Sequence, residues 1–123
     1  MNPVTTDYSI ERDENITTIR LHRELTLDEV LDVVDQVAQS DVSNRRLWDL
    51  TRNFVFTSAE IAQIAERGKT HWPSASRVAY VAADDLSFGL LRMFEVYREQ
   101  ENYETRVFRE EQGARDWLKE WVE

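Results

Sequence analysis

Arg77-Val-Ala-Tyr-Val-Ala-Ala-Asp-Asp-Leu-Ser-Phe-Gly-Leu-Leu-Arg-Met-Phe-Glu95 decides the fold. Val78 to Ala82 is nearly all apolar, as a central strand covered on both faces requires. An acidic pair, Asp84-Asp85, then opens a helix, with Asp85 or Ser87 as its cap. Leu90, Met93, Phe94 and Tyr97 recur there at helical spacing. The unit repeats once. Glu104-Thr-Arg-Val-Phe-Arg109 gives a strand over 105–108, and Ala114, Trp117, Leu118 and Trp121 give a terminal helix. Strand and helix in alternation are the pattern of an α/β protein with a parallel sheet.

Upstream, Tyr8 to Arg12 alternates as a strand does, and Ile16-Thr-Thr-Ile-Arg-Leu21 is a β-branched second strand. Asp13-Glu14-Asn15 between them predicts a tight turn and an antiparallel hairpin. Thr26-Leu-Asp-Glu29 is a capping box. The helix after it places Leu27, Val30, Leu31, Val34, Val37 and Ala38 on one face and ends near Ser40. Arg46-Leu-Trp-Asp-Leu50 reads as a third strand. Thr57-Ser-Ala-Glu60 is a second capping box, for a helix carrying Ile61, Ile64 and Ala65 inward and ending near Gly68, with Pro73 barring continuation. The predicted order is ββαβαβαβα: a mixed sheet of about five strands with helices on both faces and an antiparallel N-terminal edge. Residues 1–6 read as a flexible N-terminus and residues 7–123 as one domain.

The 123 residues suffice for one core, burying roughly two-thirds of the unfolded surface. The net charge of −9 disfavours nucleic acid and anionic membranes as partners. No cysteine is present, which excludes disulfides, thiol nucleophiles and thiolate metal sites. No apolar run approaches the roughly 20 residues that span a bilayer, and Met1 to Ser9 lacks a signal-peptide pattern. The expectation is a cytoplasmic protein without membrane insertion.

Val78 to Glu95, with the closing Val107-Phe-Arg-Glu-Glu-Gln-Gly-Ala-Arg-Asp-Trp-Leu118, resembles the SpoIIAA-like (STAS/SEC14-like) family of small bacterial proteins. The hairpin, Leu25-Thr-Leu-Asp-Glu-Val30 and Leu47-Trp-Asp-Leu50 fit the same pattern, so the resemblance spans roughly residues 7–121. It implies a STAS-like fold and carries no assigned activity. In anti-sigma-factor antagonists of this fold a serine at the start of the second helix is phosphorylated. The matching position is Ser58, but the acid before it and the glycine after it are missing, and Glu60 would repel a phosphate. Helix capping is the expected role of this stretch. The SEC14 part of the label implies a lipid pocket, for which so short a chain leaves little interior volume.

Ligands of open α/β sheets gather beyond the strand carboxyl ends. Asp49, Arg52, Asn53, Asp84, Asp85, Gly89 and Arg92 are therefore the candidate ligand or partner cleft. Gly89 inside a helix costs about 1 kcal/mol against alanine, so close packing or a close ligand is expected there. Phe54, Phe56 and Trp121 are candidate interface anchors. His22 and His71 lack helix-spaced ligand partners, so no metal site and no cofactor are expected. No nucleophile elbow, Walker loop or dinucleotide fingerprint occurs. A hydrolase built on His22 remains a distant third reading. The chain is expected to be a non-catalytic regulatory or protein-interaction module, acting on a protein partner or a second copy of itself. The alternative is a domain binding a small anionic or amphipathic ligand in the strand-end cleft.

Overall fold

The computed structural model describes residues 7–40, 42–52, 54–72, 75–100 and 103–122. The expectations for residues 1–6, Asn53 and Pro73 lie outside them. The elements run β1 (Tyr8–Asp13), β2 (Ile16–Leu21), α1 (Leu27–Gln39), β3 (Arg45–Asp49), α2 (Ser58–His71), β4 (Ser76–Val81), α3 (Asp85–Arg98), β5 (Tyr103–Phe108) and α4 (Glu111–Lys119). The order ββαβαβαβα is the predicted one.

The sheet is mixed and its strands lie in sequence order, β1-β2-β3-β4-β5. β1 pairs antiparallel with β2, and the other pairs are parallel. The hairpin turns on Glu14 and Asn15, with φ of 54° and 64°. Two left-handed residues between paired Asp13 and Ile16 make the two-residue turn that matches strand twist.

Monotonic strand order fixes the layers. Right-handed crossovers that all step the same way put their helices on one face. Thus α1, α2 and α3 cover one side, where Ile19, Leu21, Leu50, Val78, Tyr80 and Val107 meet Val34, Val37, Ile61, Ile64, Leu91 and Phe94. Only α4 covers the other side, setting Ala114 and Leu118 on Ile16, Leu47, Ala79 and Val81. Arg45 and Arg77 hold its end, donating to the carbonyls of Leu118 (3.0 Å) and Trp117 (2.7 Å). Cations there satisfy free helix carbonyls and complement the dipole.

Both capping boxes form, at Thr26 with Glu29 and at Thr57 with Glu60. Four helix details differ from expectation. The cap of α3 is Asp84, one residue earlier than predicted, and α2 continues past Gly68 to His71. On α1 Val33 joins the predicted Val30, Val34 and Val37 in the core, with Leu27 and Leu31 partly buried against it. On α3 the buried set is Ser87, Leu91, Phe94 and Arg98, while Met93 and Tyr97 face outward. Apolar residues surround α3 at 90, 91, 93, 94, 96 and 97, so periodicity alone does not choose a face. Ser87 lies on the buried face, its hydroxyl tied into the interior.

Candidate functional site

In the predicted cleft, Asp49, Asp84, Asp85 and Arg92 are tied into separate contacts. Asp84 spends its carboxylate on the start of α3, accepting from Ser87 N–H (2.7 Å) and Ser87 Oγ (3.0 Å). The backbone donor holds its carboxyl below the usual range. Ser87 Oγ in turn accepts from the N–H of Phe54 (3.1 Å). This buried chain fastens the loop after β3 to α3 and closes the strand ends there. Asp49 faces the α4 side, accepting from Arg20 (2.9 Å) and from Thr51 Oγ1 (2.7 Å). Arg20 also grips Glu111 (2.6 Å). Asp85 is exposed and pairs with Arg109 (2.6 Å). Arg52 is exposed, and Arg92 sits beside Glu95 (3.4 Å).

Gly89 is exposed, and a β-carbon built there meets nothing within 4 Å. The packing explanation for it is therefore overturned. Phe54 is buried at 4% exposure, so it is a core residue and not a surface anchor. Phe56 is half-buried against it, ring centres 4.9 Å apart. Trp121 is half-buried under Arg45 (5.4 Å). Ser58 is exposed on the first turn of α2, and His22 is exposed after β2. Among the described residues no group of three or more His, Asp or Glu stands close enough to hold a metal ion.

A cavity of about 40 Å³ lies instead inside the three-helix layer. That is room for about three waters, at roughly one probe sphere of 10–15 Å³ each. Its apolar end is walled by Leu21, Leu50, Phe54, Leu91 and Phe94, and Trp48 and Tyr80 line its floor. Its other end, toward the amino ends of the strands, is formed by Gly68, Trp72, Arg98 and Tyr103. Burial pushes the Tyr80 phenol well above its usual range, with Tyr103 adding to the effect, so it stays a neutral O–H.

Two arginines are buried at this amino end, each 1% exposed. Arg98 lies on the Tyr103 ring at 3.5 Å and donates to the Gly68 carbonyl (3.2 Å) and to Gln100 Oε1 (2.8 Å). Arg46 stands just behind, its guanidinium 4.7 Å from the Trp72 ring centre. It donates to the Ser43 carbonyl (3.0 Å) and reaches Tyr103 Oη at 3.5 Å. Its Nε is buried without a hydrogen-bond partner. All these acceptors are neutral, and among the described residues neither guanidinium has a carboxylate partner. Buried charges are ordinarily paired, because desolvating an unpaired ion costs several kcal/mol.

The sequence reading missed both arginines, although a signal was present. Arg46 holds the same strand phase as Trp48 and Leu50, and Arg98 follows Leu91 and Phe94 at i+7 and i+4. A cation in the apolar phase of two facing elements marks a buried charge. No protein-family model matches the chain, and no curated protein matches it in sequence. No helix is long and apolar enough to cross a membrane among the described residues. The functional reading therefore rests on the geometry.

Proposed function

We propose that the domain is a non-catalytic binding module for a small organic molecule, held in the cavity between the sheet and α1–α3. The observation that carries this reading is the pairing of an aromatic and aliphatic cavity with one buried guanidinium, Arg98, in its lining and a second, Arg46, buried behind it. Ligand sites combine apolar walls with a few convergent polar groups in this way. The lining offers phenols, indoles, aliphatic chains and a guanidinium, which hold a molecule without supplying an activated nucleophile. The test is thermal unfolding of the protein against a panel of small organic compounds. A dose-dependent rise in Tm for at least one class, lost when Leu91→Trp fills the cavity, supports the reading. A flat response across the panel contradicts it.

A second reading, regulation through protein contact, is favoured by the outer side of α3. Leu86, Met93, Val96 and Tyr97 are exposed there, Val96 at 70%. Exposed apolar rows of this kind mark contact surfaces. It agrees with the resemblance to SpoIIAA-like proteins, with Ser58 left as a helix residue and not a switch. Its readout is solution mass, and its variant is Val96→Lys.

A further inference from the structure

The geometry points to a small carboxylic acid as the ligand, its carboxylate at the Arg98 end, in front of Arg46, and its apolar body toward Leu50, Phe54 and Leu91. This rests on the binding reading above and names the chemistry of its ligand. The charges set the class. Two guanidinium groups lie within reach of one phenol, Tyr103, which stacks under Arg98 and meets Arg46 through its hydroxyl. Their acceptors, Ser43 O, Gly68 O and Gln100 Oε1, carry only partial negative charge. The buried Nε of Arg46 remains unused. Arg46 does not line the cavity, so an oxyanion there accepts from Arg98 and supplies the charge that both guanidinium groups lack; guanidinium–carboxylate contacts are among the strongest hydrogen bonds.

The walls set the rest. Beyond the cationic end the cavity is apolar, so a bare inorganic anion leaves most of the lining without a partner. The room of about 40 Å³ takes little beyond the head group. A longer body needs Trp72 to turn outward. That side chain is half-buried at the C-cap of α2, with Arg46 on its ring.

Acids and their neutral isosteres separate this inference from the reading beneath it. The probes are butyrate and phenylacetate, their amides butyramide and phenylacetamide, and inorganic phosphate. Binding is read from intrinsic fluorescence, because Trp48 and Trp72 both line the cavity. The acids are expected to bind about tenfold or more tightly than the amides, the gap expected when charged hydrogen bonds become neutral ones. In Arg98→Met and Arg46→Met the gap closes. Each variant's Tm is measured alongside, and Arg98→Lys, which keeps the charge, retains part of the gap should the methionine variant not fold. Equal binding of acids and amides overturns the carboxylate assignment and leaves the binding reading standing. Binding of phosphate as tight as that of phenylacetate overturns it as well. No binding by any probe, together with a flat panel in the thermal screen, overturns both.

Discussion

Arg98 donates to the carbonyl of Gly68 at 3.2 Å, and its Nε lies 3.0 Å from the point that a β-carbon on residue 68 would occupy. The approach of α3 to α2 at the cationic end of the cavity therefore depends on a residue with no side chain. Gly68 lies inside α2, where alanine would gain about 1 kcal/mol of helix propensity. Close contact with a buried guanidinium offsets that gain.

Gly68→Ala is accordingly expected to lose about 0–2 kcal/mol net, overpacking of 1–3 set against the propensity gain. Its larger effect falls on ligand binding, because Arg98 must shift. Urea unfolding gives the first quantity, and the acid titration the second. A variant stabilised by a full helix-propensity increment, with binding intact, would show the contact to be slack.

Gly89→Ala has the opposite sign. The position is exposed within α3 and a β-carbon meets nothing. The substitution should stabilise the fold by about 0.5–1 kcal/mol. A marked fall in Tm would instead restore the packing role that the sequence suggests.

Ser87→Ala removes the acceptor for the buried Phe54 N–H and one donor to Asp84. A buried donor left unsatisfied costs about 1–3 kcal/mol. Asp84→Ala should cost about 0.5–2 kcal/mol through the lost cap. The two residues touch, so the double mutant should cost less than the sum. Strict additivity in denaturant unfolding would contradict a shared network.

Two glutamates make opposite contributions to the pH dependence of stability. The Arg23 guanidinium, followed by Thr26, holds the Glu29 carboxyl down to about 2 from an ordinary 4.5. A depressed folded value stabilises above the unfolded value, and the contribution is lost as pH falls through the folded one. Stability should therefore drop between about pH 4.5 and 2, less so in Glu29→Gln. Burial raises the carboxyl of Glu95 despite Arg92 and Arg106 nearby. Its ionisation then opposes folding as pH rises from its unfolded value through the folded one. Glu95→Gln is expected to stabilise at pH 7 and to change little at pH 3. Unfolding curves across this range check both signs, and a neutral-pH loss in Glu95→Gln would reverse the second.

The architecture was legible because its signals are local. Two capping boxes, a turn with residues suited to positive φ and one continuous apolar strand place most elements within a few residues. The site was not legible for the same reason. The strand-end rule pointed to Asp84 and Asp85, whereas a hydrogen bond between Ser87 and Phe54, 33 residues apart, closes that end. Arg46 and Arg98 come together only through the parallel pairing of β3 with β4 and β4 with β5 and the return of α3 across them. The face that α3 buries includes a serine and an arginine, which hydropathy counts as polar.

The most direct measurement is an NMR titration of isotope-labelled protein with phenylacetate, followed through indole and amide N–H signals. Binding in the cavity predicts that the indoles of Trp48 and Trp72 and the amide of Gly68 move together and saturate at one affinity, while the amides of Asp85 and Arg109 stay in place. Shifts confined to Asp49, Asp85 and Arg109, or no saturable shift at either indole, would contradict a carboxylate site inside the three-helix layer.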